Sequence, residues 1–280
     1  MITISGIPEM KSLANEARSQ NLAIGFVPTM GYLHDGHMSL VQRARSENDV
    51  VVASIFVNPT QFGPNEDLEL YPRDMEGDRH KLQTAGVDAL FLPESGQLYG
   101  PGYQTYVIVE TVSLPLCGSS RPGHFKGVAT VVLKLFNIVR PTRAYFGQKD
   151  FQQLQVIRRM VSDLNVDVSV IGCPTVREAD GLAMSSRNSY LDVSERKQAV
   201  ALNQSLLFAK TMFHSGETSS RIILDAVVDR ISREPDARID YARIVDSHTL
   251  SDVDQSDSAS LVALAVRIGK TRLIDNMILG

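Results

Sequence analysis

The sequence predicts an α/β fold: a parallel sheet with helices on both faces, followed by a smaller α+β domain. Three observations predict it. The first half alternates short apolar, β-branched runs with longer helix-spaced segments, the pattern of repeated strand–helix units. Polar turns bearing glycine or proline follow several of those runs, and in such sheets ligands bind beyond the carboxyl ends of the strands. After about Pro174 the order changes, to two consecutive helical segments and then strands.

Each element has its own reason. Ile24-Gly25-Phe26-Val27, inside the apolar run Leu22 to Val27, reads as a buried strand. His37 to Glu47 places Leu40, Val41 and Ala44 at helical spacing. Asp49 to Val57 is a stronger strand, rich in valine and isoleucine. Asp74 to Ala85 suits a polar helix, and Asp88 to Leu92 another strand. Val128 to Val139 is ambiguous by periodicity, but its length suits a buried helix. Ala144-Tyr145-Phe146 reads as a short strand and Phe151 to Leu164 as a helix. Val166 to Ile171 alternates apolar and polar until Cys173-Pro174 ends the run. Beyond it, Glu195 to His214 and Thr218 to Arg233 read as helices, Arg238 to Val245 and Leu261 to Ile268 as strands. Ser251 to Ser260, rich in Ser and Asp, reads as a solvated loop. The expected division is 1–174 and 175–280, the second part covering one side of a nucleotide site.

Composition narrows the function classes. The 280 residues are 43% hydrophobic, which supports a real core. The formal charge of −4 argues against a dominant nucleic-acid surface. Met1 to Lys11 lacks the basic start and apolar stretch of a signal peptide, and no apolar run is long enough to span a membrane. Cys117 and Cys173 stand apart without CxxC spacing, so buried filler positions and a reducing cytoplasm are expected. No Gly-x-Gly-x-x-Gly follows the first strand. Gly269-Lys270-Thr271 resembles the end of a P-loop, but position 264 is Leu where that loop needs glycine. It reads as a turn after the last strand.

The segment Pro28 to His37 (PTMGYLHDGH) carries the most chemistry. A strand leads in, a glycine-bearing turn follows, and a helix begins at His34 and His37. A helix start suits an anion such as phosphate, and imidazoles three apart on a first turn face the same way. Imidazole donates hydrogen bonds to phosphate oxygens. Without that context, the same residues would read as surface histidines or part of a metal site. Asn58-Pro59-Thr60-Gln61-Phe62 follows the second strong strand. It is either a simple turn or a source of two neutral amides for a polar substrate. In Gly147-Gln148-Lys149-Asp150-Phe151-Gln152-Gln153 a strand again runs into a helix. Gly147 permits a tight approach, Lys149 offers charge, Asp150 suits a helix cap, Gln153 lies one turn into the helix and faces the same cleft, and Gln152 faces elsewhere as a structural residue. Gly181 to Asn188 (GLAMSSRN) offers two hydroxyls and an arginine, an anion clamp or a capped loop. Arg121 to Val128 is a basic, glycine-bearing loop before a helix, equally readable as a plain connection or as a loop that closes over the site or contacts the carboxylate substrate.

Taken in order, these segments resemble a known family. The histidine motif and the Met-Ser-Ser-Arg loop resemble the HIGH and KMSKS signatures of the nucleotidyltransferase superfamily. The closer resemblance is to the pantothenate synthetase family. It is carried by Pro28–His37, Asn58–Phe62, Arg121–Val128, Gly147–Gln153, Cys173–Glu178, Gly181–Asn188 and the ending Ile268–Asn276. It covers nearly the whole chain. Gln148 departs from it, since the family more often has Glu there.

The resemblance implies a Rossmann-like first domain and an ATP-dependent ligase. Pantoate and β-alanine would be joined through a pantoyl adenylate, with Mg²⁺ accompanying ATP. It implies that His34 and His37 contact ATP phosphates, with His37 also a proton donor. Met30 and Gly31 would line the nucleotide site. Lys149 and Arg187, with Ser185 and Ser186, would neutralise the triphosphate. Gly147 and Asp150, beside Gln148, would hold the ribose and neighbouring groups. Val176 and Met184 would touch the adenosine end. Gln61 and Gln153 would bind pantoate, Gln61 lying also near β-alanine, with Asn58 in support. No protein metal ligands are implied. The family expectation is a cytoplasmic homodimer acting on small molecules, away from nucleic acid and membrane. Two other readings stay open: a different adenylyl- or cytidylyltransferase, and a non-catalytic nucleotide- or RNA-binding module.

Overall fold

The computed structural model describes residues 1–64 and 66–280. Contacts divide the chain into two compact units. The first comprises Met1–Glu110, Arg121–Gln148 and Gln153–Pro174. The second takes Thr111–Ser120, Lys149–Gln152 and Thr175–Gly280.

The described strands of the first unit are β1 (Ile2–Ile4), β2 (Ile24–Thr29), β3 (Val50–Ile55), β4 (Ala89–Phe91), β5 (Arg143–Gly147) and β6 (Ser169–Cys173). They form one parallel sheet of six in the order β1-β4-β3-β2-β5-β6. The main helices are α1 (Ile7–Ser19), α2 (Asp35–Glu47), α3 (Met75–Thr84), the short α4 (Ser95–Leu98), α6 (His124–Val139) and most of α7 (Phe151–Asp163); α5 (Cys117–Ser120) belongs to the second unit. Side chains alternate across the strands, so each strand feeds two cores. Val27, Val51, Ala53, Ile55 and Tyr145 pack with Leu40, Val41, Ala44 and Leu82 on the α2 and α3 face. Phe26 and Phe146 point the other way, and both meet Phe136 of α6 edge to face, at 6.5 and 6.3 Å between ring centres. The sheet is therefore covered on both faces, which explains its continuous apolar strands. β2 sits mid-sheet, flanked by β3 and β5. The chain reverses its building direction there, and the ends of β2, β3 and β5 open onto one edge.

Tyr145 ties β5 to the end of α2. It is fully buried, donates to Glu47 Oε2 at 2.8 Å and accepts from Asn48 Nδ2 at 2.7 Å. Burial pushes its phenol from 10.0 up to about 12. The neutral phenol is thus favoured in the fold. Its contribution is present below pH 10 and is lost as pH rises towards 12, because the unfolded chain releases the proton first. Urea midpoints measured between about pH 9 and 12 are expected to fall through that window. Tyr145→Phe should flatten part of that slope, and an unchanged slope would contradict the assignment.

The second unit builds its core from α8 (Val193–His214) and α9 (Ser220–Ile231) laid on an antiparallel sheet. Its strands are β7 (Ala237–Asp246), β8 (Ser260–Ile268) and β9 (Thr271–Ile278), in the order β7-β8-β9. Asp192 and Glu195 form a reciprocal cap at the start of α8, as the Asp-x-x-Glu spacing allows. No helix among the described residues is long and apolar enough to cross a membrane.

Several expectations need correction. β1 and α1 are not among the elements that the sequence pattern marks. Strand β6 begins and ends later than the alternation Val166 to Ile171 suggests, since Val168 lies outside the ladder and Ser169 opens it. Leu261 to Ile268 is not the last strand. Gly269 and Lys270 do form a turn, with Gly269 at φ +56°, but it is the two-residue turn of a hairpin, and Ile268 pairs with Thr271 of β9. Helix α6 starts at His124, so five of the eight residues from Arg121 to Val128 are helical.

Candidate active site

In the first unit, β2 ends at Thr29, and the chain passes through Met30 and Gly31 before turning sharply. Gly31 has φ +88°, and a Cβ there would lie 3.0 Å from Ile55 Cγ2 and 3.2 Å from Asp78 Oδ2. Only glycine suits both the angle and the space. Tyr32 is also left-handed, at φ 53°, a conformation that needs outside support in a tyrosine. Asp78 of α3 supplies it. Its two carboxylate oxygens accept the backbone N–H groups of Tyr32 and Leu33, both at 2.7 Å. Lys81, one turn on, donates to Leu33 O at 2.6 Å. Asp78 is 1% exposed; burial pushes its carboxyl up, while the two N–H bonds and Lys81 pull it down.

The supported turn delivers the two histidines. His34 is the N-cap of α2, and its Nδ1 accepts from Gly36 N–H at 3.2 Å. His37 Nδ1 accepts from His34 N–H at 3.3 Å. The imidazoles thus form a reciprocal capping box, with ring centres 4.1 Å apart. The box uses backbone donors that a bare helix start would offer to an anion: Gly36 N–H goes to His34 Nδ1, and His37 N–H to His34 O at 2.8 Å. It also decides the tautomer. An Nδ1 that accepts a hydrogen bond carries no proton, so in each neutral ring the proton sits on Nε2 and Nε2 is a donor.

β3 leads to Asn58, which is 1% exposed. Its Oδ1 accepts from Thr60 N–H and Oγ1, and its Nδ2 donates to Gln61 Oε1 at 3.1 Å and Gly127 O at 3.2 Å. The amide oxygen and both amide hydrogens are thus engaged inside the protein. Asn58 therefore holds Gln61, whose Nε2 lies 3.1 Å from Met30 Sδ. The approach of α6 to this turn is close: a Cβ on Gly127 would be 2.3 Å from Thr60 O. Arg121 and His124 complete the support. Arg121 forks onto Glu66 at 2.7 and 2.6 Å, and His124 Nδ1 donates to Gln61 O at 2.8 Å. Through Arg121 and His124 this basic loop braces Gln61.

β5 ends at Gly147, where an added Cβ meets no protein atom within 4 Å. Packing does not require glycine here. Gln148 opens a short 3₁₀ turn, Gln148–Asp150, and Gln153 is half-buried on α7.

In the second unit, Lys149 Nζ lies 3.7 Å from Asp150 Oδ2, with the lysine side chain 19% exposed. Gln152 is buried and structural, donating to Val112 O and Pro115 O and accepting from Cys117 N–H. Val176 to Met184 forms a small hairpin: Met184 N–H donates to Val176 O at 3.0 Å, Arg177 bridges Ala183, and Gly181 turns at φ +96°. Ser185 then caps a 3₁₀ turn, Ser186–Tyr190, by accepting from Arg187 N–H at 3.3 Å. Asn188 and Arg196 both reach the carboxylate of Glu178, each at 2.7 Å, and lock the loop's shape. Both cysteines of the chain are buried, each beside an arginine: Cys117 at 3.7 Å from Arg272 and, in the first unit, Cys173 at 3.8 Å from Arg43.

Sequence reasoning gave no role to Asp78, Lys81, Glu66, Arg177 or Asp275, although Arg177 and Asp275 lie in segments that carry the family resemblance. Asp78 and Lys81 share a helix face at a spacing of three, but Asp74, Glu76 and Arg79 offer similar pairs, and no local signal separates them.

Comparisons with known proteins show what the chain is similar to. The family model described as pantoate-beta-alanine ligase matches residues 2–278. A pantothenate synthetase from Thermotoga neapolitana is 59% identical over the full length of both chains. One from Geobacter sulfurreducens is 55% identical, over all of this chain and 99% of that one. The crystal structure of pantothenate synthetase from Thermus thermophilus matches with a TM-score of 0.94 at 48% identity, covering 100% and 99% of the two chains. A pantoate-beta-alanine ligase from Francisella tularensis, complexed with "Beta-gamma ATP and Beta-alanine", matches at 0.84 and 37%, covering 100% and 98%.

Proposed function

The chain belongs to the pantoate–β-alanine ligase family, and on that premise we propose how its residues carry out the reaction. It is an ATP-dependent ligase that joins pantoate to β-alanine. The observation that carries the assignment of roles is the reciprocal His34–His37 cap at the end of β2. It presents two Nε2–H donors from a helix start.

A carboxylate is a poor acyl donor, so it is activated first. A pantoate carboxylate oxygen attacks the α-phosphorus of ATP. The bond from that phosphorus to the bridging oxygen breaks, and pyrophosphate leaves. The amine of β-alanine then attacks the acyl carbon of the adenylate. A C–N bond forms, the C–O bond to AMP breaks, and the amine releases a proton. Neither step requires a covalent enzyme intermediate, so positioning and charge stabilisation dominate.

In the first unit, His34 and His37 donate hydrogen bonds to phosphate oxygens, and because His37 Nδ1 accepts His34 N–H, His37 steadies the departing pyrophosphate as a hydrogen-bond donor and keeps its proton. Met30 and Gly31 line the nucleotide site. Gly147, with nothing of the protein over its Cα, leaves room for the nucleotide, and Gln148 adjoins it. Gln61 and Gln153 bind pantoate through neutral amides, Gln61 also lying near β-alanine, and Asn58 fixes Gln61. In the second unit, Lys149, Arg187, Ser185 and Ser186 neutralise the triphosphate. Asp150 holds the ribose, and Val176 and Met184 contact the adenosine end. Magnesium enters with its substrate as MgATP, held mainly by the phosphates. A homodimer in the cytoplasm completes the proposal, testable by light scattering and by fractionation.

The decisive experiment resolves AMP, ADP and pyrophosphate, with pantoate and β-alanine supplied separately and together. Pyrophosphate with pantoate alone, and sustained AMP only with both, is expected. Retention of the nucleotide in the product would identify a nucleotidyltransferase instead.

A further inference from the structure

Two consecutive residues of the last strand hold both segments of the second unit to which the triphosphate has been assigned. Asp275, with a side chain 1% exposed, accepts from both terminal nitrogens of Arg177, at 2.7 and 2.9 Å. This is the two-pronged geometry that makes arginine–carboxylate pairs directional. The same Arg177 donates to Gly181 O at 3.1 Å, so the fork reaches across the turn of the Val176–Met184 hairpin. The neighbouring Asn276 donates from Nδ2 to Lys149 O at 2.8 Å, and its N–H donates to Asp275 Oδ1 at 2.8 Å. Successive side chains on a strand point to opposite faces, so one strand can grip two different segments.

We propose that Asp275 and Asn276 are positioning residues for the adenylation step. Asp275 acts through Arg177 to set the hairpin that leads into Met184–Arg187. Asn276 acts through the Lys149 carbonyl to set the turn that presents the Lys149 ammonium. The proposal rests on the assignment of those groups to the triphosphate. The strand is a suitable base. β9 pairs with β8 from Thr271 to Ile278, and Leu273 and Leu279 anchor it in the core. Lys149, by contrast, lies in a three-residue 3₁₀ turn, and its side chain is a long flexible stem. A fixed backbone anchor narrows the positions that the ammonium samples away from the transferred phosphate. Asp275 is a buried carboxylate, which is retained at a cost unless a partner compensates it.

The test is a mutant cycle read by pantoate-dependent pyrophosphate release. Asn276→Ala is expected to lower the adenylation kcat about tenfold, with the KM for β-alanine changed less than about twofold. In a Lys149→Ala background the same substitution should change the rate by less than about twofold, because the group it positions is gone. Equal losses in both backgrounds would overturn the proposal and leave the Lys149 assignment standing. A Lys149→Ala enzyme with the native rate would overturn that assignment, and the proposal with it. For the hairpin arm, Asp275→Asn leaves the Arg177 charge without its counter-charge and endangers the fold, so Arg177→Lys is the second variant. It keeps the charge and loses the fork. A folded Arg177→Lys enzyme is expected to adenylate about tenfold more slowly with β-alanine KM unchanged; native kcat would overturn the role of Asp275.

Discussion

Lys149→Ala is expected to reduce pantoate-dependent pyrophosphate release by about 10²–10³-fold, or about 2.7–4 kcal/mol of transition-state stabilisation. Charge builds on the phosphate oxygens as the α-phosphorus is attacked and pyrophosphate departs. A lysine with a largely covered side chain meets that charge in a medium less screening than bulk water. Its carboxylate neighbour, Asp150, is 3.7 Å away, too far for a strong hydrogen bond. Folding should lose little, because the ammonium fills no core position and its 3.7 Å pairing with the half-exposed Asp150 contributes about 0–1 kcal/mol. The comparison needs pyrophosphate release and thermal unfolding on the same preparation. Native adenylation by a folded variant would remove Lys149 from the mechanism. A fall in melting temperature matching the fall in rate would make it a structural residue.

Asp78→Asn is expected to have the second largest effect, although it touches no proposed substrate. Each carboxylate oxygen accepts one backbone N–H of the turn after β2. An amide has one acceptor oxygen. Whichever way it is turned, its NH₂ group faces either Tyr32 N–H or Leu33 N–H, donor against donor. An unsatisfied buried N–H costs about 1–3 kcal/mol. Tyr32 then loses what holds it at φ 53°, and His34 follows just beyond. Misplacement of catalytic groups by about an ångström costs about 10²-fold in rate. The expected result is a folded protein with kcat lower by about that factor, and with faster amide exchange confined to residues 30–37. A variant with native kcat would show that the cap alone places the histidines.

The two substitutions illustrate different degrees of legibility. Lys149 is visible in the sequence because its signal is local: a strand end, a glycine, a charged residue and a helix start lie within a few positions. Asp78 is invisible there because nothing near it differs from its exposed neighbours. Its importance arises from packing α3 against a turn 46 residues earlier in sequence. Asn58 falls between. Its place after β3 is readable, but its amide is consumed by Thr60, Gln61 and Gly127. That fact depends on α6 coming within contact of the turn.

By itself the sequence determined the class of fold, the family and the reaction. The fold class rests on short-range regularities, apolar runs of strand length and helical spacing, and the family and the reaction rest on the resemblance of the ordered motifs to a known family. Only the tertiary structure decided the strand order, the extra hairpin strand β9, the tautomer set by the histidine cap, and the residues that brace the site. These depend on contacts between segments distant in the chain. Arg177 and Asp275 lie 98 positions apart and meet at 2.7 Å. A buried pair of that kind looks, in one dimension, like any other arginine and aspartate. Its energetic weight comes from the low-dielectric surroundings that only folding creates.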